Sequence, residues 1–158
     1  MKNQRMLDEL TELMRIDVSS GQETEIAEHL VKKLEQMGFA ITRDEAGATF
    51  GGVCGNILAV REGERDGVVC FCSHMDRVPG GIGIKPVEED GILRSSGDTI
   101  LAADDLSGVA AILEGVRQAI ESGKALPKLE ILFTVGEEAG LYGAKAFDVS
   151  LLTSKTMY

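Results

Sequence analysis

Basic residues and aromatic side chains are both scarce in this chain. Its 158 residues include 16 Lys and Arg against 26 Asp and Glu, which gives a formal net charge of −10, and only 4% are aromatic. A surface with this negative charge repels nucleic acid and anionic membranes, so we expect neither as a partner. Because aromatic residues are few, aliphatic side chains must form most of the core.

Long apolar runs and paired cysteines are also missing. No stretch approaches the roughly 18 consecutive apolar residues that a membrane span requires, and the first residues lack the apolar segment of a signal peptide. The cysteines number three, and Cys70 and Cys72 lie two apart on a predicted strand, where they share a face and do not form a CxxC zinc site. We interpret them as reduced thiols of a cytoplasmic protein.

The apolar pattern predicts helices alternating with strands in a single domain. Helices are predicted over residues 7–14, 23–37, 104–122 and 141–146, strands over 39–43, 56–60, 67–72 and 129–135, and a hairpin from 85–89 and 92–94. The strands 67–72 and 129–135 are continuously apolar, as expected when both faces are buried. This alternation predicts an α/β protein with a three-layer sheet and flanking helices.

Two adjacent carboxylates, Asp104 and Asp105, lie where an apolar segment ends and a predicted helix begins. The exposed N–H groups and the dipole of a helix N-terminus favour negative charge there. Taken alone, an Asp-Asp pair in this position is typical of a helix cap.

Two further segments place polar side chains directly after apolar predicted strands. They carry His74 with Asp76, and Glu137 with Glu138. Open α/β sheets build their sites at the carboxyl ends of strands. Imidazole and carboxylate are zinc ligands, and a carboxylate near the histidine can hold its second ring N–H. Of two adjacent glutamates, one can bind a metal while the other takes a proton from its bound water. Each segment alone is typical of structural residues, but together with Asp104 they favour a shared metal site.

Three motifs in this order resemble the peptidase T-like tripeptidases, which belong to the zinc-dependent exopeptidases with paired metals. The motifs are Ser73-His74-Met75-Asp76, Ile100-Leu101-Ala102-Ala103-Asp104-Asp105 with Ser107-Gly108, and Thr134-Val135-Gly136-Glu137-Glu138-Ala139-Gly140-Leu141. The resemblance implies a zinc-exopeptidase-like fold and hydrolysis of short peptides by an aminopeptidase of the tripeptidase type. It covers less than half of a family member. Residues 1–158 would then be the N-terminal part of a metallopeptidase catalytic domain, without its C-terminal half and without the lid domain used for dimerisation.

The resemblance also implies a role for each polar residue. His74 would bind one zinc ion and Glu138 the other, and Asp104 would bridge both. Asp76 would orient His74, and Glu137 would act as general base and acid. The peptide bond between Asp104 and Asp105 would be cis. The implied partners are short peptide substrates and other copies of the protein in a homo-oligomer.

Two residues depart from the family pattern, and several alternatives stay open. Arg77 stands where the family usually has threonine, and Leu106 where it has lysine. Neither residue is an implied metal ligand, so the metal assignment stands, and what the departures leave open is substrate handling. A carboxypeptidase or an N-acyl amino acid deacylase of the same fold would share this site, and a truncated module acting only in binding or assembly is a third alternative.

The isolated chain itself is expected to be inactive. Each ion would have only two protein ligands here, whereas catalytic zinc normally has three. We therefore expect weak metal binding, and self-association through the open edge of the sheet.

Overall fold

The computed structural model describes residues 4–158 and contains the predicted helices and strands. The helices are α1 (Gln4–Arg15), α2 (Thr24–Gln36), α3 (Ala103–Glu121) and α4 (Tyr142–Ala146). The strands are β1 (Ala40–Arg43), β2 (Ile57–Arg61), β3 (Val68–His74), β4 (Pro86–Glu89), β5 (Ile92–Ser95) and β6 (Lys128–Thr134). Two short 3₁₀ turns cover Ala46–Thr49 and Val149–Leu151.

The apolar spacing of α2 shows why these segments fold as they do. Ile26, Leu30 and Leu34 recur every four residues, and all three are buried in the main core. This spacing places them on one face of a helix. Gly38 follows the helix with φ +83°, the left-handed conformation that commonly ends a helix at glycine.

The main sheet has four strands in the order β1-β2-β6-β3, and β4 pairs with β5 in a separate hairpin. The β1–β2 and β2–β6 pairs are antiparallel, whereas β3 and β6 are parallel. In the parallel pair, His74 at the end of β3 is opposite Thr134 at the end of β6. The segments that follow these two strands therefore leave the sheet at the same edge.

Both faces of the sheet are covered, so the predicted three-layer α/β fold is confirmed. On one face, Ile131 and Phe133 of β6 pack in a large core with side chains from α1, α2 and α3. On the other face, Leu132 packs in a smaller cluster with Leu58 and with Phe147, which follows α4. This division follows from the alternation of side chains along a strand.

The exposure of β3 differs from its sequence prediction. The continuous apolar run predicted burial on both faces, but Val69, Phe71 and Cys72 are only partly buried. The prediction was wrong because β3 lies at the edge of the sheet, beside a groove of about 460 Å³ that it forms with α3. The last residue, Tyr158, pairs with this edge: its N–H donates to Cys70 O, and its carbonyl accepts from Cys72 N.

No helix within residues 4–158 is both long and apolar enough to cross a membrane. Cys54, Cys70 and Cys72 are all free thiols.

Candidate metal centre

His74 ends β3, and its imidazole has one nitrogen directed at each of two aspartates. The ring is buried, with 8% of the residue exposed. Nδ1 lies 3.1 Å from the backbone carbonyl oxygen of Asp76, and Nε2 lies 3.1 Å from Asp104 Oδ1. Metal-binding histidines are commonly held in this way, with one nitrogen fixed by a carbonyl group and the other left for the metal.

The two aspartates at the start of α3 point in different directions. The side chain of Asp104 is 85% exposed and faces His74. Asp105 instead accepts the Ser73 hydroxyl at 2.7 Å and the Gly108 N–H at 3.0 Å. The peptide bond between the two aspartates is cis, as the resemblance implied. Only Asp104 of this pair is therefore available to the candidate site.

The loop after β6 brings the two glutamates to the same place. One donor atom each from His74, Asp104 and Glu138 lie within 4.8 Å of one another. Glu137 Oε2 lies 4.0 Å from His74 Nε2. The structure thus brings together the three residues that the sequence predicts as ligands, with the predicted base beside them.

Asp76 lies beside the site as predicted, but its carboxylate does more than contact His74. The backbone carbonyl of Asp76 accepts the Nδ1–H of His74, while the side-chain oxygen Oδ1 of Asp76 is 3.4 Å from the same nitrogen. The buried carboxylate accepts the backbone N–H of Glu137 at 2.9 Å and that of Glu138 at 3.1 Å, and it also accepts the Ser20 hydroxyl. Asp76 therefore holds the two glutamates in place as well as the imidazole.

The charges around the cluster favour a cation at its centre. Burial opposes the imidazolium form of His74, but Asp76 and Asp104 outweigh this effect and raise the His74 pKa to about 9. Burial also raises the pKa of Glu138. The carboxylates of Asp104, Glu137 and Asp76 raise it further, whereas the charge of His74 lowers it. Since like charges crowd here, a divalent ion would stabilise the arrangement.

The pKa of Asp76 moves in the opposite direction. Burial disfavours its carboxylate, but hydrogen bonds from His74, Ser20 and the N–H groups of Glu137 and Glu138 lower the Asp76 pKa below its ordinary value. Hydrogen bonds thus stabilise the ionised form of Asp76, whereas no hydrogen bond is among the causes of the Glu138 shift.

These donors fit a divalent metal. An imidazole nitrogen and carboxylate oxygens are the types of protein ligand found in catalytic zinc sites, which keep a further position for water. Asp104 is exposed, so the cluster is open to solvent on that side.

Neither departure from the family pattern faces this cluster. Arg77 is 1% exposed, and its guanidinium donates to the carbonyls of Met14, Ile16 and Gly81. Leu106 is fully buried in the main core. Both side chains serve packing within the fold, and neither contributes a donor to the candidate site.

The sequence did not reveal two further residues that hold the glutamate loop. Asn56 Oδ1 accepts the N–H of Val135 at 3.1 Å, and Glu23 Oε1 accepts that of Gly136 at 3.0 Å. Asp76 binds the next two N–H groups, so four consecutive backbone donors, 135–138, are all fixed by buried side chains. The partners of Asn56 and Glu23 lie 79 and 113 residues away, where no local pattern reveals them.

A second group of possible ligands, Glu9, Glu12 and His29, comes from α1 and α2, and within it Glu9 is buried whereas Glu12 is exposed. Lys33 Nζ lies 2.8 Å from Glu9 Oε1 and 2.9 Å from Glu12 Oε2. Because an ammonium group already balances these carboxylates, we interpret this group as an ion-pair network.

The mixed sheet, its covering helices and the cluster at the ends of β3 and β6 define the zinc-exopeptidase type of α/β fold. The chain belongs to peptidase family M28, whose family model matches residues 56–156.

Three relatives show how far the likeness extends. Aminopeptidase PepT from Bacillus cereus has a TM-score of 0.95 and 39% identity, over 99% of this chain and 42% of that chain. A tripeptidase from Staphylococcus aureus has a TM-score of 0.93 and 34% identity, with the same coverage of 99% and 42%. Protein YqjE of Bacillus subtilis is 37% identical over all of this chain and 43% of its own length. The resemblance to the peptidase T-like tripeptidases is confirmed, and the chain spans less than half the length of these relatives.

Proposed function

We propose that the protein hydrolyses short peptides as a metal-dependent aminopeptidase of the tripeptidase type. The observation that carries this proposal is the convergence of His74, Asp104 and Glu138, with Glu137 beside them, at the carboxyl ends of two parallel strands. Membership of a peptidase family and the likeness to an aminopeptidase and a tripeptidase support the choice of substrate.

Each residue of the candidate site would have its own role in metal binding, proton transfer or positioning. His74 would hold one zinc ion and Glu138 a second, and Asp104 would bridge the two. When bound, the ions would act as Lewis acids and lower the pKa of a bound water. Glu137 would take a proton from the attacking water and deliver it to the departing amine, as a general base and then acid. Asp76 would keep His74 and both glutamates in position.

The test of this proposal uses the complete gene product with zinc. We expect cleavage of a tripeptide with a free N-terminus and little cleavage of the same peptide after N-acetylation. Glu137→Gln should reduce turnover by about 10²–10⁴-fold, the usual contribution of a general base. Preferential cleavage of the acetylated peptide, or of N-acyl amino acids, would instead support the carboxypeptidase or deacylase alternative. A complete gene product that binds zinc but cleaves none of these would support a binding module.

We also propose that the protein works in the cytoplasm. Three free thiols suit a reducing compartment.

We further propose that the protein is a homo-oligomer. The groove between β3 and α3 is apolar and borders an edge strand, and such a surface is suited to association. Sedimentation of the isolated chain should show self-association that Ile112→Glu, within the groove, weakens. A chain that stays monomeric up to high concentration would contradict self-association through this surface.

A further inference from the structure

Glu23 is a fully buried carboxylate that does not serve its own helix. It directly precedes α2, yet its side chain makes no hydrogen bond to the N-terminus of that helix. Its Oε1 instead accepts two backbone N–H groups, from Gly21 at 2.8 Å and from Gly136 at 3.0 Å. Glu23 therefore joins the turn before α2 to the loop after β6.

This contact closes a ring of hydrogen bonds beside the candidate site. Gly136 directly precedes the two glutamates, whose N–H groups are accepted by Asp76. Asp76 in turn accepts the hydroxyl of Ser20, which directly precedes Gly21. Two buried carboxylates thus hold the same pair of segments, 20–21 and 136–138, from two sides.

The second oxygen of Glu23 shows that burying this carboxylate costs free energy. Within residues 4–158, Oε2 is buried and has no hydrogen-bond partner. Burial raises the pKa of Glu23, against the hydrogen bonds from Gly21 and Gly136. A buried carboxylate oxygen without a hydrogen-bond partner costs free energy. Packing alone therefore gives no reason for a glutamate here.

The path of the loop makes the Gly136 contact specific. Gly136 has φ +58°, and a Cβ on this residue would lie 2.6 Å from the Phe50 ring. With no room for a side chain, the loop passes close to the protein interior, and its N–H points at Glu23.

We propose that Glu23 is a positioning residue for Glu137 and Glu138. By fixing the N–H of Gly136, it sets where the two carboxylates lie relative to His74 and Asp104. The metal-binding part of this inference rests on the proposed function, whereas its structural part does not.

The test compares Glu23→Leu with Glu130→Leu in the 158-residue chain. Glu130 is a matched control because it is also fully buried and accepts two backbone N–H groups, those of Thr153 and Ser154. Its bonds hold the C-terminal segment and not the glutamate loop. Both variants should lower the free energy of unfolding, which urea titration measures.

Two readouts distinguish positioning from general stability. In Glu23→Leu, amide exchange at residues 136–138 should accelerate by about tenfold or more through local opening. Zinc affinity should fall by about 10- to 100-fold, as on loss of other residues that support metal ligands. Glu23→Gln, which keeps an acceptor oxygen, should restore both. In Glu130→Leu neither should change beyond the effect of lower stability.

Two results would overturn the inference: unchanged exchange at residues 136–138 in folded Glu23→Leu, or equal effects in Glu130→Leu. If Glu23→Leu does not fold, Glu23→Asp withdraws the same oxygens by one methylene group, and the same criteria apply to it. If the unsubstituted 158-residue chain binds zinc too weakly to measure, amide exchange alone decides the role of Glu23, and the proposed function is decided separately on the complete gene product.

Discussion

His74 Nε2 and Asp104 Oδ1 lie 3.1 Å apart, although 30 residues separate them in the chain. The first ends an edge strand and the second begins a long helix, so the contact joins two layers of the fold. With Glu138 completing the cluster, this pair defines where a metal would bind.

The two adjacent glutamates should respond differently to the same substitution. Glu138→Gln replaces a proposed ligand of one of the two ions, so zinc content after dialysis should fall from about two ions per chain toward about one. Glu137→Gln should leave zinc content nearly unchanged, because its proposed role is proton transfer. Atomic absorption on both variants of the complete gene product measures this difference. Equal zinc loss in the two would contradict the division of roles.

Glu9 should make the stability of the chain depend on pH in acid. Burial disfavours its carboxylate, but contacts with His29, Lys33 and Arg117 outweigh burial and hold the Glu9 pKa at about 2. This value lies below the ordinary 4.5, so the contribution is complete above pH 4.5 and is lost as pH falls toward 2. At pH 7 it should amount to roughly 2–3 kcal/mol of the free energy of unfolding.

Urea unfolding of the original chain and of Glu9→Gln at several pH values measures this contribution. The difference in unfolding free energy should be largest near pH 7 and should shrink below pH 4. Glu28→Gln is the control, because its exposed pair with Arg43 should contribute no more than about 0.5–1 kcal/mol. A difference for Glu9→Gln that is constant from pH 7 to pH 3 would contradict this assignment.

Two glycines of α3 should respond oppositely to alanine. At Gly115 a Cβ meets nothing within 4 Å, so Gly115→Ala should stabilise the chain by about 0.5–1 kcal/mol through helix propensity. At Gly108 a Cβ would collide with the Asp105 carboxylate, so Gly108→Ala should destabilise it by about 1–3 kcal/mol. Thermal unfolding of both variants measures the difference. Equal effects of the same sign would show that Asp105 is not held as described.

Arg77 should matter for stability through backbone carbonyls. It donates to Met14 in the last turn of α1, to Ile16 just after that helix, and to Gly81. Arg77→Met fills similar space but supplies no donor, so it should lower the free energy of unfolding by about 2–3 kcal/mol. Arg77→Lys, which keeps one donor group, should lose less. Stability unchanged in Arg77→Met would mean that water replaces the guanidinium at no cost.

The sequence predicted the proposed ligands because each lies at the end of an apolar segment or shortly after it. His74 ends β3, Glu138 lies in the loop after β6, and Asp104 lies at the start of a helix with a clear apolar period. The order of strands was not predictable in this way. The parallel pairing of β3 with β6 joins residues about 60 positions apart, and the local pattern of apolar residues does not indicate which distant strand pairs with which.

The supporting residues escaped prediction for the same reason. Glu23 resembled the first residue of a helix, and Asn56 the first residue of a strand. Their acceptor roles depend on loop N–H groups 113 and 79 residues away. The exposure of β3 was also missed, since an apolar run does not show whether a strand lies at the centre of a sheet or at its edge.

The central claim is that His74, Asp104 and Glu138 bind a divalent metal. Anomalous diffraction at the zinc edge, from crystals of the chain soaked in zinc, tests it most directly. We predict one peak about 2.0–2.2 Å from His74 Nε2 and a carboxylate oxygen of Asp104, and a second peak at this distance from carboxylate oxygens of Glu138 and Asp104. No peak there, or a peak only at Glu9, Glu12 and His29, would contradict the claim.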